Sequence, residues 1–320
     1  MINRNLDYAK LFNQLVDFTF DYILKNKLES GILGISGGID SLVVSVIMYE
    51  VSKKHYKWFN SLSNNEIEKN NYKPFKFYGF SLPTNTTNNK EYFVSTLVGN
   101  TFCQHSAYTN PFFETININE LSVLISDFCL GNRSYDGNID RFRRGNVKSR
   151  LRMLYLYDKA KEYKGFVVGT DNYTEKLLGF STIGGDALAD YMPLQNLWKT
   201  EVYGLAKYLL EKYKIEENWA AVNAINESIN LIPQDGLGIS TSDMGQIGAK
   251  DYYEVDEILY QYEKYLEYLD MGGYEDRFDS IVIEPLVAGN HKREVIDKVL
   301  NRRKNNFKLN LPLEFNYNID

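Results

Sequence analysis

The run Gly31-Ile32-Leu33-Gly34-Ile35, then Ser36-Gly37-Gly38-Ile39-Asp40-Ser41, then Leu42-Val43-Val44-Ser45-Val46-Ile47-Met48 leaves this chain few ways to fold. A short apolar stretch, a glycine pair and a longer apolar stretch read as a buried strand, a tight turn and the start of a helix. The N–H groups of such a turn, with those unpaired in the first helical turn, converge on a point where an anion can sit. Adjacent glycines let the backbone approach a phosphate closely and adopt conformations closed to other residues. Asp40 sets a carboxylate beside that point, which suits a divalent cation bridging it to phosphate oxygens. An ordinary turn with a serine cap would also use a glycine, but two serines, two glycines and the aspartate together favour the phosphate site. The hexapeptide is not a Walker A loop, because no Lys-Ser/Thr follows the second glycine.

Around this unit, strand-like and helix-like segments alternate. A helix is expected over residues 5–27, where Leu11, Leu15 and Phe18, with Phe12 and Val16, recur at helical spacing. Further strands are expected over Phe75–Leu82, Thr115–Ile118 and Phe166–Gly169, and helices over Lys90–Gln104, Asn119–Leu130 and Asn146–Tyr163. Lys53–Pro74 lacks periodicity and reads as a loosely ordered excursion, and Gly131, Gly137 and Gly145 mark a loop. Short apolar strands alternating with helices imply an α/β fold, a doubly wound parallel sheet with helices on both faces. Ligands of such sheets bind beyond the carboxyl ends of the strands, where the phosphate loop and the Gly169-Thr170-Asp171 loop both fall. The simplest organisation is a single domain over 1–320, with a core over about 28–212 and a C-terminal extension over 213–320.

Composition narrows the function classes. A chain of 320 residues, 44% of them hydrophobic, can bury a sizeable core. A formal charge of −6 argues against a general nucleic-acid binder, which carries a basic face. Asp7, Asp17 and Asp21 interrupt the N-terminal helix, so it is neither signal peptide nor membrane span, and no other apolar run reaches membrane length. A cytoplasmic protein with no membrane partner is expected. Cys103 and Cys129 have no metal-site spacing and read as buried thiols, and His55, His105 and His291 fall on no motif and read as structural or exposed.

A second stretch, Arg143-Arg144-Gly145-Asn146-Val147-Lys148-Ser149-Arg150-Leu151-Arg152-Met153, puts Asn146, Arg150, Met153 and Tyr157 on one helical face. An amide, a guanidinium, a thioether and a phenol in one stripe suit a ligand with a flat ring and a charged group; a core stripe of Met and Tyr beside solvated charges would read the same way. The hexapeptide resembles the SGGxDS signature of the PP-loop ATP pyrophosphatases, which cleave ATP between its α and β phosphates. The second stretch is similar to the GNxxxRxRM segment of one branch, the NAD synthetases. Gly169-Thr170-Asp171-Asn172-Tyr173-Thr174-Glu175 with Leu178–Asp186, and Pro193-Leu194 with Leu197–Val202, resemble further segments of that family in its order.

The resemblance implies a Rossmann-like fold of the PP-loop type, usually a homodimer with the substrate site at the subunit interface. It implies a two-step reaction without a glutaminase domain. The ring carboxylate of deamido-NAD attacks the α-phosphate of ATP, giving an acyl-adenylate and magnesium pyrophosphate; ammonia then forms the amide of NAD and releases AMP. The ATP-binding residues implied are Gly34, Ser36, Gly37, Gly38, Asp40, Ser41, Thr170 and Lys199, with Asp40 and Glu175 holding Mg2+ and Lys199 neutralising phosphate. Phe142, Asn146, Arg150, Tyr157 and Phe180 would line the deamido-NAD site, and Asp186 would attract ammonium or accept its proton. The resemblance makes Asp40, Asp186 and Lys199 the expected catalytic set.

The chain departs from the family's pattern at four places. Ala187-Leu188 replaces a Gly-Gly after Asp186, and Ser81-Leu82-Pro83 lacks a basic residue before Leu-Pro. The His-Lys-Arg cluster near the C-terminus is represented by Phe307-Lys308-Leu309 ahead of Pro312, reducing a cationic clamp to Lys308, and Pro233-Gln234-Asp235-Gly236-Leu237 lacks a threonine after the proline. These changes leave two alternatives open: amidation of nicotinate mononucleotide, or a nucleotide-binding homologue without turnover.

Overall fold

The computed structural model describes residues 4, 6–103, 112–131, 137–233 and 242–310. In chain order the elements are α1 (Tyr8–Asn26), β1 (Ser30–Gly34), α2 (Ile39–Ser61), α3 (Asn64–Asn70), β2 (Lys76–Ser81), α4 (Asn89–Phe102), β3 (Phe113–Thr115), α5 (Asn119–Leu130), α6 (Gly137–Glu162), β4 (Gly165–Val168) and α7 (Tyr173–Leu178). They continue as α8 (Lys199–Ile215), α9 (Trp219–Ile229), α10 (Asp243–Ile247), α11 (Tyr252–Asp270), α12 (Glu284–Ala288) and α13 (Arg293–Lys304).

The strands form a parallel sheet in the order β3-β2-β1-β4. Gly31 of β1 lies opposite Phe77 of β2 and Phe166 of β4. Strand side chains alternate between faces, and the burial follows that period. Leu33, Phe77, Phe166 and Val168 join α1, α2, α4, α8 and α9 in one core, whereas Ile32, Phe80 and Val167 join Leu151, Met153 and Leu156 of α6 in a second. The sheet is therefore doubly wound, with helices on both faces. A third core unites α11 and α13, through Val255, Ile258, Ile296 and Val299, with Leu177 and Leu178 of α7 and with Trp198 before α8. Among the described residues no helix is long and apolar enough to cross a membrane.

Four expectations need correction. Lys53–Pro74 is largely helical: α2 runs to Ser61, and α3 is set by a capping box between Ser63 and Glu66. Its signal was hidden because aromatic rings replace aliphatic periodicity. Trp58 packs edge-on against Phe20, His55 and Tyr72, and burial lowers the His55 pKa to about 4. Gly131 does end α5 with positive φ, but Gly137 and Gly145 lie inside α6. Contacts with α5 hold that first part of α6: Arg143 donates to the Cys129 carbonyl and Arg144 pairs with Asp127. The short strand sits at Phe113–Thr115, while Ile116 and Ile118 donate their N–H groups to Ser81 and Pro83 carbonyls beyond it. Cys103 is buried as expected, but Cys129 is exposed. Of the other histidines, His291 lies between Glu254 and Glu257, and His105 is outside the described residues, as are Asn5 and Gln104 at the expected helix ends.

Candidate active site

A cavity of about 500 Å³ opens beyond the carboxyl ends of β1, β2 and β4. Its first wall is the turn after β1. Gly37 adopts φ +87°, and a Cβ there would meet the Ser95 backbone nitrogen of α4 at 2.7 Å, so both conformation and space require glycine. Ser36 Oγ accepts from the Gly38 N–H at 3.2 Å and lies 3.1 Å from Ser41 Oγ, which donates to the Gly38 carbonyl. Gly38 caps α2 without a side-chain acceptor, leaving the N–H groups of the first helical turn aimed at the cavity mouth. That is an anion cradle formed by six consecutive residues.

Three charged side chains meet beside it. Lys199, the first residue of α8, donates from Nζ to Asp40 Oδ2 at 2.6 Å and to Glu175 Oε1 at 2.8 Å. Asn172 locks the arrangement: its Nδ2 donates to Asp40 Oδ1 at 2.9 Å, while its Oδ1 and N–H complete a capping box with Glu175 at the start of α7. Burial pushes Glu175 up to about 7 against the opposing pull of Lys199. Lys199 is raised well above its usual range: burial lowers it, but the Asp40 and Glu175 carboxylates overcome that. Behind the triad, the buried Asp256 of α11 accepts from Thr174 Oγ1 and from the Thr200 N–H, and Thr174 Oγ1 accepts from the Lys199 N–H. The C-terminal extension thus ties together the starts of α7 and α8.

The donor set fits magnesium. Mg2+ is held by one or two carboxylates with the remaining oxygens from phosphates and water, and Asp40 and Glu175 both line the cavity next to the anion cradle. Among the described residues no group of three or more side chains could hold a metal alone. The Lys199 ammonium occupies the space between the two carboxylates, a cation already standing where a second one would bind.

At the opposite end, Asp186 Oδ1 accepts from Ser149 Oγ at 2.8 Å and from the Thr182 N–H at 2.6 Å. Asn146 Oδ1 accepts from Thr182 Oγ1 at 3.0 Å. Gly34, Ser36, Gly38, Asp40, Ser41, Thr170, Glu175 and Lys199 therefore share one cavity with Phe142, Asn146, Phe180 and Asp186. Gly37, Arg150 and Tyr157 do not line it. Gly37 seats the turn on α4, whereas Arg150 Nε donates to the Ile183 carbonyl and Tyr157 donates to Asp190, so the expected stripe mainly anchors the loop over 182–190.

Two departures prove smaller than the sequence implied. Beside Leu82-Pro83, where the sequence lacks a cation, half-buried Arg152 of α6 donates to the Leu82 carbonyl and lines the cavity. Lys308 donates to the Gly179 and Ser181 carbonyls. It is joined by Arg302 of α13, whose guanidinium lies 5.0 Å from the Phe180 ring centre. Ala187-Leu188 sits in a tight turn, with both N–H groups bonded back to Thr182 and Gly185 carbonyls. Pro233 lines the cavity; Gln234–Leu237, Leu311 and Pro312 lie outside the described residues. Arg152, Arg302 and Asp171 also line the cavity, beyond the residues the sequence points to. Arg152 was within reach, lying in the GNxxxRxRM-like stretch but off the stripe considered; Arg302 carries no local signal at all.

The family model described as NAD synthase matches residues 11–312. The chain is 31% identical over 258 residues to the NH(3)-dependent NAD(+) synthetase of Thermococcus sibiricus, covering 81% of this chain and 82% of that protein. It is 27% identical over 307 residues to the enzyme of the same name from Helicobacter pylori, covering 96% and 95%. The solved NMN synthetase of Francisella tularensis superposes with a TM-score of 0.67 at 21% identity, over 98% of this chain and all of that one, a likeness of fold. With the phosphate turn, the Asp40–Lys199–Glu175 triad and Asp186 facing one cavity, and a family match spanning nearly the whole sequence, the chain belongs to the NAD synthase family.

Proposed function

We propose that this chain is an ammonia-dependent carbon–nitrogen ligase that converts deamido-NAD to NAD at the expense of ATP, through an acyl-adenylate. The observation that carries the reading is the Lys199 ammonium held between Asp40 and Glu175 at the rim of the anion cradle, with Asp186 across the same cavity. Attack of a carboxylate on a phosphate brings like charges together, so positioning and charge neutralisation carry most of the catalysis. Ser36, Gly37, Gly38 and Ser41 form the cradle for the leaving pyrophosphate, Gly34 and Thr170 contact the nucleotide, and Lys199 turns toward phosphate oxygens. Asp40 and Glu175 hold Mg2+, which when bound neutralises charge on the phosphates. Phe142, Asn146 and Phe180 receive the second substrate, and Asp186 orients the nitrogen nucleophile.

A homodimer completes this reading. Leu124 and Phe128 of α5 and Ile139, Phe142 and Leu154 of α6 are exposed large apolar residues on neighbouring helices, which supports burial against a second copy. Arg150 and Tyr157 would then contribute to the substrate site as part of that interface. The N-terminal helix, the core and the C-terminal extension act as one domain, and the enzyme works in the cytoplasm on free ammonia. The relatives' names do not favour the mononucleotide alternative. Purified protein given ATP, magnesium, ammonium and deamido-NAD should release AMP and form NAD. No AMP with deamido-NAD would sink the proposal, and product from nicotinate mononucleotide alone would reassign the substrate.

A further inference from the structure

The nitrogen that enters as ammonium leaves as an amide, so it must lose two protons, and Asp186 alone has room for one. The structure points to a second acceptor. Asp171 follows β4 and lines the same cavity, only 9% exposed. Among the described residues no hydrogen bond reaches its carboxylate, whereas a buried carboxylate in a folded protein ordinarily has partners. Its placement is fixed on both sides. The Gly169 N–H donates to the Tyr191 carbonyl at 2.8 Å, setting the start of this loop beside the segment after Asp186. The next residue, Asn172, is pinned to Asp40 and Glu175.

We propose that Asp171 pairs with Asp186 to bind ammonium and that each carboxylate accepts one of the two protons. This inference rests on the ligase reading above. One carboxylate takes a proton from NH4+, freeing the lone pair that forms the C–N bond at the acyl carbon. The other takes a second proton from that nitrogen as the C–O bond to the adenylate breaks and its electron pair leaves with AMP. Asp186 keeps Oδ1 on Ser149 and Thr182, so its other oxygen faces the nucleophile. Burial first, then the charge of neighbouring Asp186, raises Asp171 above the ordinary carboxylate range.

The test compares Asp171→Asn with the parent full-length chain in three assays with ATP, magnesium and deamido-NAD: exchange of pyrophosphate into ATP, amide formation from ammonium, and hydroxamate formation from hydroxylamine. Hydroxylamine is neutral at neutral pH and loses only one proton. The variant should keep pyrophosphate exchange, lose roughly 100-fold in kcat/KM for ammonium, and lose much less with hydroxylamine. An unchanged kcat/KM for ammonium would overturn the inference, as would equal losses in all three assays, which mark a structural role. Absence of exchange in the parent would overturn the ligase reading and this inference with it, whereas an active parent beside an unaffected variant overturns the inference alone. Removing a carboxylate crowded by like charges should leave the melting temperature at or above the parent's. If the Asn variant does not fold, Asp171→Ser is carried through the same assays.

Discussion

The two ends of the cavity are built in opposite ways. At the phosphate-turn end, six consecutive residues spanning the turn after β1 and the start of α2 make the cradle, and the charges around it are locked by short bonds among Asp40, Asn172, Glu175 and Lys199. At the Asp186 end, the lining comes from α6, the loop over 179–186 and the C-terminal helix, and its cations reach in from Arg152, Arg302 and Lys308. The first end repeats what any ATP-cleaving relative needs. In the proposed reading the second receives the group to be amidated, and it is there that the chain departs from its family's pattern. A tightly wired end tolerates little change, whereas an end assembled from separate segments should lose affinity in steps.

Substitutions measure that contrast directly. The largest effect should come from Asp40→Asn, which leaves the fold intact but removes a proposed metal carboxylate. AMP release should fall roughly a thousandfold, comparable to losing a preorganised charge-stabilising group, and near-parental turnover would refute the metal assignment. Next is Lys199→Met, which leaves the half-buried Asp40 and Glu175 side by side without their cation. Chemical denaturation should report a loss of about 3–5 kcal/mol, and magnesium should restore part of it by putting positive charge back between the carboxylates. If magnesium has no effect on the variant's stability, the two carboxylates do not share a metal.

The same end should be sensitive to pH. Glu175 is raised from 4.5 to about 7, so below that value it keeps its proton, and the proton competes with the cation. The magnesium concentration for half-maximal activity should therefore rise about tenfold per pH unit below 7 and level off above it. A flat dependence between pH 5 and about 7 would show that Glu175 is not a ligand. The smallest effect is expected from Arg302→Gln at the other end. The KM for deamido-NAD should rise about tenfold, as for one lost charge-assisted bond, with the KM for ATP unchanged. A matched rise in both would erase the distinction between the two ends.

How much was legible follows the same division. The hexapeptide is readable because it is local, a glycine pair and a helix start imposing their geometry on their neighbours, whereas Glu175 and Lys199 stand out only through the resemblance of their segments to the NAD synthetases. The stripe on α6 was read with the correct period and a partly different outcome. Asn146 and Met153 line the cavity, but Arg150 and Tyr157 hold the following loop, because the bonds they make depend on where that loop packs. The order of Lys53–Pro74 has two sources: aromatic rings of α2 meet α1, a contact that no periodicity in the segment displays, and the Ser63–Glu66 capping box that starts α3 is a local signal legible in the sequence.

The sequence by itself determined the doubly wound sheet and the phosphate turn with Asp40 at its carboxyl edge, because strand alternation, glycine conformations and helix starts are properties of short segments. Only the tertiary structure decided which distant groups complete the site. It placed Arg302 over Phe180, brought Arg152 to the end of β2, set Asp256 behind Lys199, and left the Asp171 carboxylate in the cavity wall with no hydrogen bond among the described residues. Those placements arise from the packing of whole elements, above all α6 on the sheet and α11 and α13 on α7, and packing is settled by buried surface contributed from all over the chain.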